Sequence, residues 1–291
     1  MSSSIADLLR VEPGTGPVSL GLIDPRSTPG TDLGKSEAKD ELEDVGEELA
    51  DLQERLYAAG RTGGRRRVLV VLQGMDTSGK GGVVKHVAGL VNPAGLHVRG
   101  FGAPTKEELK HPFLWRVEQG LPPAGTIGVF DRSHYEDVLI VRVHDLVPEA
   151  EWSKRYDQIN EWEAGLVDDG VVLVKVMLHI SLAEQREKLI ARLDDPTKHW
   201  KIDPGDVVER ESWTSYQRAY EIALERCSTP AAPWYVVPAD RKWYRNWAVS
   251  QLLRETLCGM DLTWPQPELD LEGMREALLA PGPTLPGPTG G

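Results

Sequence analysis

The stretch Val68–Gly82, VLVVLQGMDTSGKGG, constrains this chain more than any other. An apolar run, Val68–Leu72, leads into Gly74-Met75-Asp76-Thr77-Ser78-Gly79-Lys80, and a helix-compatible run, Val83–Leu90, follows. This is the strand, glycine loop and helix order of a phosphate-binding loop, with the spacing GxxxxGK. Glycines let successive backbone N–H groups turn toward one anion, and the helix adds the positive end of its dipole. Gly74, Thr77, Ser78, Gly79, Gly81 and Gly82 are therefore candidates for binding phosphate, and Lys80 is placed to reach an outer phosphate. Two details depart from the common form. Position 81 is glycine where a Ser or Thr usually offers its hydroxyl to Mg²⁺. Asp76 brings a carboxylate into the loop, which repels phosphate unless something offsets it. A bridging Mg²⁺ would do so, or Asp76 would accept a hydrogen bond from the attacking group. On this reading the metal ligand has moved from a hydroxyl to a carboxylate.

The 291 residues suffice for one large α/β domain with appendages, and 40% hydrophobic with 27% charged content is that of a soluble globular protein. No apolar run approaches ~18 residues, so no membrane span is expected. The start, MSSSIADLLRVEPG, has neither a basic n-region nor an apolar h-region, which points to a cytoplasmic protein. The net charge of −12 argues against a general nucleic-acid binder, whose footprint is a basic face. It leaves room for a polyanionic substrate if the basic residues cluster. Cys227 and Cys258 make no metal spacing and read as small buried thiols.

Residues 1–35, rich in Gly, Pro and Ser, read as an arm over the surface or over a neighbouring subunit. Residues 36–260 read as the main domain. Within it, Leu42, Val45, Leu49, Leu52 and Leu56 give the segment 36–59 one apolar helical face. That face suits either a partner helix in an oligomer or packing on its own domain. Strands are expected at Val68–Leu72, Leu96–Phe101, Thr126–Phe130, Val171–Ile180 and Trp234–Val237. Helices are expected from a Thr105 cap to about Gln119, over Trp152–Val167 and Ser181–Leu193, from Asp203-Pro204 to about Cys227, and over Asp240–Leu257. Residues 261–291 are a tail whose end, PGPTLPGPTGG, reads as disordered. Alternation of strands and helices implies a parallel sheet covered on both faces, with ligands at the carboxyl ends of the strands. The phosphate loop, the Pro104-Thr105 turn and the acid after the third strand would open on that edge.

Val129-Phe130-Asp131 has the form of a Walker B strand, whose acid holds Mg²⁺ beside the phosphate loop. Arg132 follows, with a planar fork suited to phosphoryl oxygens. Asp137 is a second candidate carboxylate for metal or base; His134 and Tyr135 receive no chemistry. Between Ile180 and Arg210, Arg186, Lys188, Arg192, Lys198, Lys201 and Arg210 gather around Asp194-Asp195-Pro196. A lid over about 186–210 would bring such cations over a transferring phosphoryl group; an ordinary solvated helix pair is the alternative. Arg241, Lys242 and Arg245 add cations near the same edge.

The segments LQGMDTSGKGG, FDRSHYEDVL, RLDDPTKHWK and PWYVVPADRKWYRNW, in order over about residues 36–260, together resemble the polyphosphate kinase 2 family. The resemblance implies a thymidylate-kinase-like P-loop kinase fold: an α/β protein with a five-stranded parallel sheet, helices on both faces and a helical lid. It implies Mg²⁺-dependent, reversible phosphoryl transfer between inorganic polyphosphate and a nucleotide. Position by position, Asp76 resembles the catalytic loop acid, Lys80 the loop lysine, Asp131 the Walker B acid, Arg132 the adjacent arginine and Asp137 a supporting acid. Asp76 and Asp131 would then hold the metal, Arg192, Lys198 and Lys201 the phosphates, and Pro104 and Thr105 the nucleotide. SHYEDVL resembles members that accept nucleoside monophosphates, some of which also accept diphosphates; it is unlike the SWYNRAG form of members restricted to diphosphates. Gly102 stands where many relatives have lysine. The partners implied are polyphosphate and AMP, ADP or ATP. Charge and hydropathy point to neither nucleic acid nor membrane, and the N-terminal arm with the helix at 36–59 hints at a homo-oligomer (dimer or tetramer). Two competing readings are a nucleotide kinase with a nucleoside triphosphate donor and a non-catalytic regulator that senses polyphosphate or nucleotide.

Overall fold

The computed structural model describes residues 4–266 and 268–280. A short helix α1 (Ile5–Leu9) and a long helix α2 (Lys35–Arg61) precede the sheet. Then come β1 (Arg67–Gln73), α3 (Lys80–His86), β2 (Leu96–Gly100), α4 (Trp115–Glu118), β3 (Ile127–Asp131), α5 (Ile140–Val143) and α6 (Glu149–Asp168). The second half runs through β4 (Val171–His179), α7 (Leu182–Leu193), α8 (Gly205–Glu209), α9 (Trp213–Cys227), β5 (Trp234–Pro238), α10 (Lys242–Cys258) and α11 (Leu271–Leu279).

The five strands form one parallel sheet in the order β2-β3-β1-β4-β5. β1 and β4 lie inside it and are buried along nearly their whole length, which is why they read as runs of Val and Leu. The register sets Leu72 beside Asp131 and Gln73 beside Met177. The loop after β1 and the acid ending β3 therefore leave the same edge side by side, where strand order reverses and α/β folds bind ligands.

Helix α2 packs on its own domain. Val45, Leu49, Leu52 and Leu56 are buried, and at the rim Gln251 Nε2 donates to Glu41 at 2.8 Å. Each leucine so covered contributes roughly 2 kcal/mol. The segment before α2 likewise lies over its own domain, with Ile5, Leu9 and Leu20 in the core. The backbone N–H groups of Ile5 and Ala6 both donate to the Glu255 carboxylate, and Tyr244 Oη donates to the Pro29 carbonyl.

Three expectations fail for local reasons. Residues 105–119 are not one helix, because Pro112 holds His111 extended (φ −109°, ψ 162°) and splits the segment into a turn, Glu108–Lys110, and α4. Residues 204–227 break at Ser212 (φ −84°, ψ 8°) into α8, a 3-10 turn and α9. Pro204 caps α8 instead of beginning it, while Asp203 accepts the Gly205 N–H at 2.7 Å. Cys227 is buried as expected, but Cys258 is exposed. The stretch expected to be disordered, residues 281–291, lies outside the described residues.

Candidate active site

The turn between β1 and α3 is tightly determined. Gly79 has φ +102°, and a Cβ there would meet Arg245 Nη1 at 1.8 Å. Arg245, buried on α10, thus lies against the loop. Burial lowers its guanidinium pKa to about 10. Thr77 adopts φ 69° and Arg132 φ 64°, left-handed values unusual for residues with side chains. Such strain persists where the surroundings enforce it, and it clusters at functional sites. The hydroxyls of Thr77 and Ser78 are buried without a hydrogen-bond partner among the described residues. An unpaired buried hydroxyl costs roughly 1–3 kcal/mol. Thr77 lines the cavity above the loop, whereas Ser78 is buried and lines neither cavity at this edge. Lys80, first residue of α3, is buried and donates to the carbonyls of Gly74 at 2.9 Å and Met75 at 3.4 Å. Burial lowers its pKa, with Asp76 pulling the other way.

Facing this loop, Arg132 Nη2 donates to Asp76 Oδ1 at 2.7 Å. Burial works against the Arg132 charge, but Glu136, Asp76 and neighbouring groups outweigh it and the pKa is raised. Above the pair lies a cavity of about 760 Å³. Its lining includes Asp76, Thr77, Gly79, Lys80, Gly81 and Gly82 from the loop region, Asp131 and Arg132 from β3 and the next residue, and Arg192, Lys198 and Lys201 from α7 and the turn Pro196–Lys201. Lys85, Lys188, Lys242 and Arg245 complete a wall with nine Lys and Arg side chains and two acids. Lys242 has a lowered pKa chiefly because Lys188 stands beside it. Like charges crowded in this way favour an anion between them.

A second cavity of about 430 Å³ shares Asp76, Arg132, Arg192 and Lys201 with the first. The rest of its wall has no cation. Glu136, Asp203, Asp206 and Glu209 supply carboxylates, and Met75, Ile140, Tyr216 and Tyr220 supply apolar and aromatic surface. Burial raises the pKa of Asp206, which Arg192 approaches at 3.6 Å.

The two aspartates on the first cavity suit Mg²⁺, which takes oxygen ligands, keeps several waters and binds through one or two carboxylates plus substrate phosphates. Among the described residues no cluster of three or more His, Cys, Asp or Glu forms a complete metal cage.

Several expected residues stand elsewhere. Asp137 lines neither cavity: the 3-10 turn His134–Val138 delivers it to Arg155 at 2.8 Å and Arg116 at 3.9 Å. Burial raises its pKa to about 6 against the pull of both arginines. It is therefore not a metal or base carboxylate at the loop. Arg116 also donates to the Gly102 carbonyl at 2.8 Å, so Asp137 helps join the loops after β2 and β3. Pro104 and Thr105 are exposed and line neither cavity; Thr105 instead caps Glu108, whose carboxylate accepts the Thr105 N–H at 2.7 Å.

The sequence reading missed a buried network behind the site. Lys175 on β4 donates to Tyr135 Oη at 2.9 Å and the Cys227 carbonyl at 2.7 Å, and forms an ion pair with Glu163. Glu163 also accepts from Tyr135 Oη at 2.8 Å and pairs with His134. This network anchors the turn that follows Arg132. The lysine interrupting an otherwise apolar strand was the available signal.

The chain matches the profile of a family described as Polyphosphate kinase 2 over residues 32–263. It is 49% identical over 259 residues to an AMP/ADP-polyphosphate phosphotransferase of Meiothermus ruber, covering 89% of this chain and 95% of that protein. It is 43% identical over 249 residues to an ADP-polyphosphate phosphotransferase of Rhodopseudomonas palustris, covering 80% of this chain and 85% of that one. A crystal structure of polyphosphate kinase 2 from Arthrobacter aurescens TC1 superposes with a TM-score of 0.91 at 49% identity, covering 95% of this chain and 97% of the other.

Proposed function

Because the chain belongs to the polyphosphate kinase 2 family, we propose that it is an Mg²⁺-dependent enzyme moving a phosphoryl group reversibly between inorganic polyphosphate and a nucleoside mono- or diphosphate, AMP to ADP and ADP to ATP. The observation that carries this reading is the partition of charge across the Asp76–Arg132 pair. On one side lies a cavity walled by nine cations beside a phosphate loop with unpaired hydroxyls; on the other lies a cavity whose unshared wall is acidic and aromatic. The basic cavity suits the polyphosphate donor. The acidic one repels a phosphate chain but offers acceptors for ribose hydroxyls and a base amino group, and tyrosine rings for base packing.

Transfer of this kind depends on positioning and charge neutralisation more than on covalent chemistry with the protein. The loop N–H groups, Thr77 and the Lys80 ammonium hold the terminal phosphoryl group of the polymer. Arg132 leaves Asp76 to meet the oxygens at the junction, and Arg192, Lys198 and Lys201 close over it and exclude water. A terminal oxygen of the nucleotide attacks the terminal phosphorus. The P–O bond to the remaining polymer breaks, and the polymer leaves one phosphate shorter with the charge on its new terminal oxygen. Asp76 and Asp131 would hold Mg²⁺, which supplies further neutralisation of the charge developing on the transferred group. The lid role of 186–210, a cytoplasmic location and a homo-oligomeric assembly belong to the same proposal; sedimentation of the purified chain tests the last.

The test is phosphorylation of AMP and ADP, each with long-chain polyphosphate and Mg²⁺ as the sole donor system. Formation of ADP from AMP and of ATP from ADP is expected. Turnover of one nucleotide alone narrows the acceptor. Activity with ATP as donor and none with polyphosphate overturns the reading in favour of a nucleotide kinase, and binding without turnover in favour of a regulator.

A further inference from the structure

A polymer seated on the phosphate loop must leave the first cavity somewhere. The second cavity is barred to it by the carboxylates of Glu136, Asp203, Asp206 and Glu209. In another direction the first cavity continues into a groove of about 410 Å³ between α2, the end of α3 and the start of α10, and the two share Lys85, His86, Lys242 and Asn246. Lys35 and Lys39 extend this basic line along the α2 side of the groove, over a floor that includes Leu42, Leu90 and Trp243. Its one acid, Glu43, is already paired with Lys39 at 3.7 Å.

The placement of the two lysines is informative. From Asp40 to Glu54 every charged residue of α2 is an acid, so the only cations before Arg55 are the two lining this groove. Lys35 and Lys39 also stand in the first turns of the helix, where the macrodipole disfavours positive charge. Lys39 gains part of its place from its i,i+4 pair with Glu43, but Lys35 has no ion-pair partner among the described residues, and an anion in the groove would engage both. We propose that the groove is an exit track for the distal part of the polyphosphate chain, gripping phosphates beyond those held at the transfer site and so favouring long polymers. This rests on the polyphosphate-donor reading above. The grip is electrostatic and unspecific in register, because exposed lysine side chains supply the contacts over a floor that is apolar, so the polymer can slide as it shortens.

The experiment compares the wild type, Lys35→Ala/Lys39→Ala and, as a control for net charge, Lys154→Ala. The donors are tripolyphosphate and long-chain polyphosphate, read by steady-state kinetics and by calorimetric binding. The double variant should raise KM and Kd for the long polymer by on the order of fivefold per lysine, leaving the tripolyphosphate and AMP KM values unchanged. The salt dependence of long-chain binding should also become shallower, and Lys154→Ala should match the wild type. Equal effects on both donors, or none on either, would overturn the exit track. Absence of polyphosphate turnover in the wild type would undo the functional reading instead, while the binding comparison would still decide the groove.

Discussion

Two glycines two positions apart should respond oppositely to the same substitution. At Gly79 an alanine Cβ would stand 1.8 Å from Arg245 Nη1 and 2.6 Å from its Cζ, on a backbone with φ +102°. Holding an L-residue there costs roughly 1–3 kcal/mol. The clash must also move Arg245, which is only 5% exposed, away from the Ser78 carbonyl it reaches at 3.5 Å. A buried charged donor that loses its place adds about 1–3 kcal/mol. Gly79→Ala should therefore destabilise by roughly 2–6 kcal/mol, or about 5–20 °C in Tm for a domain of this size. It should also raise the KM for polyphosphate, because Arg245 lines the donor cavity. At Gly81 an added Cβ meets nothing within 4 Å, and the residue lies in the first turn of α3. Gly81→Ala should be neutral or stabilising by up to about 1 kcal/mol, read as an unchanged or raised Tm. Calorimetric melting and kinetics on the two variants provide the assay. A Gly79→Ala protein with wild-type Tm and donor KM would show that Arg245 does not sit on the loop, and the argument for its place in the site would fall.

Lys175→Met should destabilise by roughly 3–5 kcal/mol in urea titrations, because Glu163 is left as an unpaired buried charge; Glu163→Gln in the same chain should recover part of that loss, and no recovery would contradict the pairing. Asp137, with its pKa raised from 3.8 to about 6, favours folding most when protonated, and this contribution is lost as pH climbs from about 4 to about 6. The wild type should thus lose roughly 3 kcal/mol relative to Asp137→Asn over that interval, and a pH-independent difference would refute the burial argument. Asp131→Asn should lower turnover by on the order of a hundredfold and raise the Mg²⁺ concentration for half-maximal rate, with circular dichroism unchanged; an unaltered Mg²⁺ response would remove Asp131 from the metal.

The sheet was legible because its three interior strands, β3, β1 and β4, are mostly apolar and the phosphate-loop pattern fixed where β1 ends. The loop residues and Asp131 were legible for the same reason: their positions follow from strand register, here Leu72 beside Asp131. Asp137 was misread because nearness in sequence to Arg132 stood in for nearness in space. The intervening turn carries it to Arg155 on α6 and Arg116 on α4, partners no local pattern announces. Thr105 was read correctly as a cap, but the helix it was to begin stops at Pro112, and the turn it caps lies away from both cavities. Lys85 looks like an ordinary surface lysine in sequence; only the packing of α3 around the loop puts it on one wall with Lys188, which the cation-rich stretch after β4 already pointed to.

The same gathering explains how a chain of net charge −12 can accept a polyanion. Net charge governs the far field, which salt screens within about 10 Å at 0.1 M. Inside the donor cavity the ligand meets nine cations at short range, and Mg²⁺ would offset the two acids there. The Asp76–Arg132 pair fits this economy of charge. Both side chains remain more than a third exposed, so the pair contributes little, on the order of 0–1 kcal/mol. Exchanging the Asp76 carboxylate for phosphoryl oxygens at Arg132 therefore costs little, and in the proposed reaction it would free Asp76 to hold a metal when the substrate arrives. A tighter pair would have held both groups back from the substrate. Lengthening Asp76 to Glu, which keeps the charge but shifts the carboxylate, should leave stability within about 0.5 kcal/mol yet depress kcat far more than either KM. If kcat were unchanged, the position of that carboxylate would be irrelevant to transfer.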